Sequence, residues 1–143
     1  RCAEITDTVL ENLPRFKFVR LNYPGGDMVG HTADMEATIV AMEAIDLSLA
    51  RLAARVDELG GCLVVVVDHG NAEELLDAEG QPKTAHTLNK VPCIIYDNTI
   101  NRGKYQLSGV AEPGLANLAA TLAVLLGQDN WPESWAEPLI SVL

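Results

Sequence analysis

Apolar positions along this chain change period several times, and each change predicts an element. Ile5, Val9 and Leu13 recur every four residues and predict a short helix over residues 5–13. Residues 16–22 (FKFVRLN) are rich in strand formers, and the turn residues of Tyr23-Pro-Gly-Gly-Asp27 break them off. The longest periodic stretch predicts a helix over residues 32–59. Its stripe runs through Met35, Ile39, Met42, Ile45, Leu49, Leu52, Val56 and Leu59, each step being three or four residues. Asp34 and Glu36 fall in the first turn, where the helix dipole favours carboxylates, and Gly60-Gly61 supplies the stop. Residues 62–67 (CLVVVV) form a continuous β-branched run, the pattern of a strand buried on both faces.

After Asp68-His69-Gly70 the pattern predicts a short helical segment to Leu76, then a polar loop over residues 77–90. Residues 91–96 (VPCIIY) predict a third strand, with Pro92 tolerable only at its start or at an edge. A short strand is expected near residues 104–107. A last helix over residues 114–126 would bury Leu115, Leu118, Leu122, Leu125 and Leu126, and a tail with Trp131 and Trp135 would pack over the surface. Strand–helix–strand alternation of this kind predicts an α/β fold of layers around a mainly parallel sheet. Three or four strands make a thin sheet, so residues 1–143 read as a portion of one domain, an incomplete α/β/α sandwich.

Composition narrows the function. Hydrophobic residues make up 48% of the chain, enough for a sizeable core. A formal net charge of -10 argues against nucleic acid and against an anionic membrane surface. No apolar run approaches the roughly 18 residues of a membrane span, and no signal peptide is evident, so a cytoplasmic location is expected. Cys2, Cys62 and Cys93 are odd in number and show no metal spacing; the latter two read as small hydrophobes in strands of a protein from a reducing compartment.

The chain has three histidines, and each sits in a polar motif at a strand–loop junction. Asp27-Met-Val-Gly-His31 follows the first predicted strand, Asp68-His69-Gly70 ends the second, and Thr84-Ala-His86-Thr87 precedes the third. Open α/β sheets gather ligands at the carboxyl ends of their strands. Taken singly, a histidine at such a place is more often a cap or a solvated group. Two carboxylates and three imidazoles on one rim form a donor set that suits Mn²⁺, Zn²⁺, Co²⁺ or Mg²⁺ better than Ca²⁺. Five donors are too many for one structural ion and too few to close a pair, which points to a two-metal centre completed from outside this chain.

At these residues the chain resembles the cofactor-independent phosphoglycerate mutases of the alkaline-phosphatase-like superfamily. The strings are D-M-V-G-H-T at residues 27–32, D-H-G-N-A-E at 68–73 and T-A-H-T-L-N-K-V-P at 84–92, followed by a closing G-L-A-N-L-A-A-T-L-A-V-L-L-G helix. The resemblance covers nearly the whole chain in order. Departures are modest: Val67 stands where a small residue is usual, Ala33 replaces a common glycine, and Tyr23-Pro-Gly-Gly is atypical.

The resemblance implies two divalent ions, with Mn²⁺ first and Mg²⁺, Co²⁺ or Zn²⁺ as alternatives. Asp27, His31 and His86 would hold one ion, and Asp68 and His69 the other. The serine nucleophile, a further aspartate and the phosphate-binding cations belong to an earlier part of such enzymes. Ser48, Ser108, Ser134 and Ser141 match no nucleophile motif here, so the chain by itself is expected to be inactive. The parent enzyme would be a monomer that interconverts 3- and 2-phosphoglycerate, small phosphorylated substrates of glycolysis, through a phosphoserine. The fragment's open sheet edge is a place for self-association. Another phosphatase of the superfamily or a phosphopentomutase would share D-H-G but not the T-A-H-T-x-N-x-V-P string. A non-catalytic metal-binding module is the remaining alternative. Asn71, Glu73, Thr84, Thr87 and Asn89 are candidates to orient the ligands, with ordinary turn bonding as the competing role.

One topological expectation follows from reach. His86 must join the rim that holds Asp27 and Asp68, yet it lies only five residues before the strand at Val91. A parallel strand would start about 20 Å away at the opposite end of the sheet, while five extended residues cover at most roughly 17 Å. Residues 91–96 should therefore run antiparallel to residues 62–67.

Overall fold

Helix α1 (Cys2–Asn12) begins earlier than its apolar spacing suggests and continues into a single 3-10 turn, Leu13–Arg15, where Pro14 suits the start of a turn. The computed structural model describes all residues from Arg1 to Leu143 and divides into two compact units, Arg1–Asp97 and Asn98–Leu143.

In the first unit, the segment read as the turn Tyr23–Asp27 instead opens a short helix, α2 (Gly25–Gly30). Helix α3 (Met35–Glu58) starts three residues later than the periodicity suggests. Asp34 is its N-cap rather than part of its first turn, and its carboxylate accepts the Ala37 N–H at 3.0 Å. At the other end Gly60 takes a left-handed φ of +64° and the Gly61 N–H donates to the Val56 carbonyl, the helix stop that the Gly-Gly pair predicts. Arg51 pairs with Asp7 at 2.6 Å and ties α3 to α1. Buried Thr6 bonds the Cys2 carbonyl and the Tyr23 hydroxyl, anchoring the extended segment between α1 and α2.

Strands β1 (Cys62–Val66) and β2 (Cys93–Asp97) pair antiparallel, with Cys62 opposite Asp97 and Val66 opposite Cys93. This is the direction that the reach of His86 demands. Several sequence expectations fail in this unit. Residues 16–22 join no ladder, because no neighbouring strand stands beside them, and Phe16 and Phe18 are exposed. The apolar run of β1 is only half-buried, because a two-stranded ribbon cannot cover it on both faces. For the same reason Met35, Ile39, Met42 and Leu59 of the α3 stripe stay exposed, while Leu52 and Val56 are buried. Cys62 and Cys93 are free and exposed rather than buried.

In the second unit, β3 (Tyr105–Leu107) falls where a short strand is expected and pairs antiparallel with β4 (Ile140–Val142), a strand the sequence did not announce. Both ladders of the chain are thus antiparallel, and no parallel pair forms. The last helix starts as a 3-10 turn (Leu115–Asn117) and becomes α4 (Leu118–Leu125). Its buried face is not the leucine stripe: Leu115 and Leu126 are exposed, whereas Ala120, Thr121 and Asn117 are buried. The polar pair explains this choice. Asn117 donates to the Glu137 carbonyl and the Thr121 hydroxyl accepts the Leu139 N–H, which draws the chain before β4 onto that face.

Between α2 and α3, Ala33 holds φ at +53°, in the left-handed region that costs a Cβ-bearing residue about 1–2 kcal/mol. Ala33→Gly relieves this strain but loses part of the gain to the freer unfolded chain, so a net stabilisation of about 0.5–1 kcal/mol is expected. The midpoint of urea unfolding reads it directly, and an unchanged or lower midpoint would contradict it.

Candidate metal centre

Asp27 and His31 stand one turn apart on α2 and its C-cap, so their side chains leave the same face. Asp68 and His69 follow the end of β1, and His86 lies on the loop leading to β2. A two-residue bridge joins those last two segments: Gly70 pairs with Thr87, whose N–H donates to the Gly70 carbonyl at 2.9 Å. The bridge sets the His69 and His86 rings face to face, with centroids 3.6 Å apart and planes 17° off parallel.

The result is a tight triangle. His86 Nε2 lies 3.0 Å from Asp27 Oδ1 and 3.1 Å from His31 Nε2, and His31 Nε2 lies 3.2 Å from Asp27 Oδ1. His31 Nδ1 sits 2.6 Å from the Thr84 carbonyl, an acceptor, so when the ring is neutral Nδ1 carries the proton and Nε2 keeps its lone pair. His31 Nε2 and Asp27 Oδ1 are then two acceptors facing each other, an arrangement that calls for positive charge between them. Donors bound to one ion at about 2.1 Å and near 90° stand about 3.0 Å apart, which matches the three edges. The residues present therefore fit a divalent ion of the Mn²⁺ or Zn²⁺ type.

The other two candidates are placed less tightly. His69 Nε2 is 3.9 Å from Asp27 Oδ1 and 3.7 Å from Asp68 Oδ2, beyond direct hydrogen bonding, and Asp27, His69 and His86 present donors within 4.8 Å of one another. The Asp68 side chain is 84% exposed. His69 Nδ1 is buried with no hydrogen-bond partner in the protein.

Around the triangle, Asn71 donates its amide to Asp27 Oδ1 at 3.2 Å. Burial pushes the Asp27 carboxyl up, but the Asn71 bond, then the proximity of His31 and His86, outweigh it and hold this acid below its ordinary range. Glu73 accepts the Thr87 hydroxyl, the Asn89 amide and the Asn71 N–H. The Thr87 bond leads the causes that lower its carboxyl to about 2. The expected helical segment before Leu76 is absent; turns stand there, and they let Glu73 fold back onto the Asn71 N–H.

Of the orienting candidates, Thr84 contributes its backbone carbonyl rather than its hydroxyl. Sequence reasoning missed Lys83 and Glu74, which pair at 2.5 Å while Glu74 also accepts from Asn89. Nothing in the spacing of a lysine within a polar loop announces that contact. Ser48 is buried and bonded to the Ala44 carbonyl, and Ser108 donates to the Pro138 carbonyl, so both are engaged in local structure. No helix is long and apolar enough to cross a membrane.

Residues 1–130 match a family model described as Metalloenzyme superfamily. A protein of a Synechococcus species, named 2,3-bisphosphoglycerate-independent phosphoglycerate mutase, is 41% identical over 145 residues that cover 96% of this chain. The protein of that name from Trypanosoma brucei brucei is 38% identical and covers 99% of this chain. A solved structure of Leishmania mexicana phosphoglycerate mutase, at low cobalt concentration, is similar with a TM-score of 0.88 at 38% identity over 99% of this chain. In each case the match spans only 27% or 28% of the relative's own length.

Proposed function

The chain belongs to the metalloenzyme superfamily, and from that premise we propose that it is the C-terminal, metal-holding part of a 2,3-bisphosphoglycerate-independent phosphoglycerate mutase acting on 3- and 2-phosphoglycerate in the cytoplasm. In this reading Asp27, His31 and His86 hold one divalent ion, and Asp68 and His69 contribute to a second, with Mn²⁺ the first choice. The observation that carries it is the triangle of Asp27 Oδ1, His31 Nε2 and His86 Nε2, with edges of 3.0, 3.1 and 3.2 Å. The architecture of the whole enzyme would be a three-layer α/β/α sandwich with a mainly parallel sheet, in which β2 is the reversed strand. The family match across residues 1–130 supports counting both units in one domain.

When bound, two such ions supply Lewis-acid charge that lowers the pKa of an attacking hydroxyl and neutralises phosphoryl oxygens. The chain's own residues prepare for this. The Thr84 carbonyl fixes the His31 ring so that Nε2 offers its lone pair, and Asn71 restrains Asp27 without taking its charge. The His31 and His86 side chains are 43% and 46% exposed, which leaves the rim open to a small anionic substrate. Turnover would require the nucleophile and anion-binding groups that the resemblance places elsewhere in the parent.

Protons compete with an ion for imidazole nitrogen, so binding should weaken on acidification. Calorimetric titration with Mn²⁺ at about pH 7.5 and about pH 5.5 is expected to show at least a roughly tenfold loss at the lower pH. Equal affinity at the two would count against histidine ligation and against this reading of the site.

A further inference from the structure

Glu73 hydrogen-bonds to none of the five candidate ligands, yet it joins the segments that carry three of them. Its Oε2 accepts the N–H of Asn71, two residues beyond His69, at 2.6 Å. Its Oε1 accepts the hydroxyl of Thr87, the residue after His86, and the Asn89 amide at 3.0 Å. Thr87 is 9% exposed and Asn71 is 4% exposed, so these donors have little water to turn to if the carboxylate is lost. The backbone bridge between Gly70 and Thr87 runs directly beneath. A Cβ on Gly70 would stand 2.1 Å from Thr87 Oγ1 and 2.3 Å from Glu73 Oε1, which shows how closely the three groups are packed.

The geometry points to Glu73 as a positioning residue: an acceptor-only clamp that locks the His69 segment to the His86 segment and so holds their two rings stacked beside Asp27. The inference rests on the reading of these histidines as metal ligands. All three partners are donors, so only a group that accepts at both oxygens satisfies them. A glutamine of the same shape would aim an NH₂ group at the Asn71 N–H or at the Thr87 and Asn89 donors. Asn89 extends the clamp, because the same amide nitrogen also donates to Glu74 Oε2 at 2.9 Å and Lys83 balances the second carboxylate. The alternative role, an ordinary turn carboxylate that only stabilises the loop, makes a different prediction for the imidazoles.

The test uses the chain with Glu73→Gln, Thr87→Val and Thr87→Ser, read by two-bond ¹H–¹⁵N spectra of the imidazoles without metal and by Mn²⁺ titration. Stacked rings shift each other's ring protons, so Glu73→Gln and Thr87→Val should move the His69 and His86 resonances. They should also weaken Mn²⁺ binding by about 10–100-fold. Thr87→Ser, which keeps the hydroxyl, should restore both readouts. If Glu73→Gln fails to fold, Thr87→Val against Thr87→Ser carries the same comparison. A fall in melting temperature with unmoved imidazole resonances and unchanged Mn²⁺ affinity would overturn the clamp and leave a purely structural carboxylate. Absence of Mn²⁺ binding by the unmodified chain would instead defeat the ligand reading, while the metal-free spectra would still decide whether Glu73 sets the ring geometry.

Discussion

Asp27→Asn is expected to lower Mn²⁺ affinity by at least about 100-fold, more than the loss of a ligand's outer partner usually costs. Asp27 Oδ1 is the one carboxylate oxygen near all three histidines. It lies within 3.2 Å of His31 Nε2, His86 Nε2 and the Asn71 amide, and 3.9 Å from His69 Nε2. Asparagine at this place keeps a carbonyl oxygen that can still accept from Asn71, so the local fold should persist. What disappears is the negative charge that a hard divalent ion requires among otherwise neutral imidazoles. Calorimetry gives the affinity, and the far-ultraviolet dichroism of the variant should match that of the parent. Retention of tight Mn²⁺ binding by a folded Asp27→Asn chain would remove Asp27 from the ligand set and with it the proposed centre. In the proposed parent mutase the same substitution should abolish interconversion of the phosphoglycerates.

Gly70→Ala should be the most damaging single methyl addition near the site, costing about 2–3 kcal/mol of stability at the upper end of overpacking effects. The added carbon would meet Thr87 Oγ1 at 2.1 Å and Glu73 Oε1 at 2.3 Å. The glutamate end could swing away, but Thr87 is buried, β-branched and tied to Gly70 through the bridge, so its hydroxyl has little room to retreat. Relief therefore has to come from parting the two loops, which separates His69 from His86. Urea unfolding measures the stability loss, and Mn²⁺ titration of the folded fraction should show weakened binding alongside it. A variant within about 0.5 kcal/mol of the parent, the range of neutral surface changes, would mean the loops absorb the methyl without opening.

Much of the site was legible because its chemistry is written in short strings. Asp27 and His31 stood out by their motif, but residues 23–27 read as a turn, and only the structure sets the two on one helical face. The direction of β2 was also accessible, because a five-residue tether cannot span a sheet, and the Cys62–Asp97 to Val66–Cys93 register agrees. The Gly60-Gly61 stop of α3 rests on backbone preferences that need no partner, whereas the helix starts at its Asp34 cap, three residues later than the periodicity suggests. Burial was less legible. Periodicity says that Met35, Ile39 and Met42 share a face, but it cannot say whether anything covers that face, and here they are exposed. The strand expected at residues 16–22 failed for the same reason, since strand propensity becomes a strand only where a neighbour completes the ladder.

The sequence by itself therefore determined α1, α3, α4, β1, β2 and β3 in outline and singled out the candidate donors, because helix periods, caps and chain reach are short-range properties. Tertiary structure alone decided the rest. It chose Thr84's carbonyl as the partner of His31, made Glu73 the common acceptor of Asn71, Thr87 and Asn89, and buried Ala120 and Thr121 in place of the leucines of α4. These outcomes depend on which groups from distant segments arrive within about 3 Å of one another, a distance at which one hydrogen bond or one methyl group changes the answer.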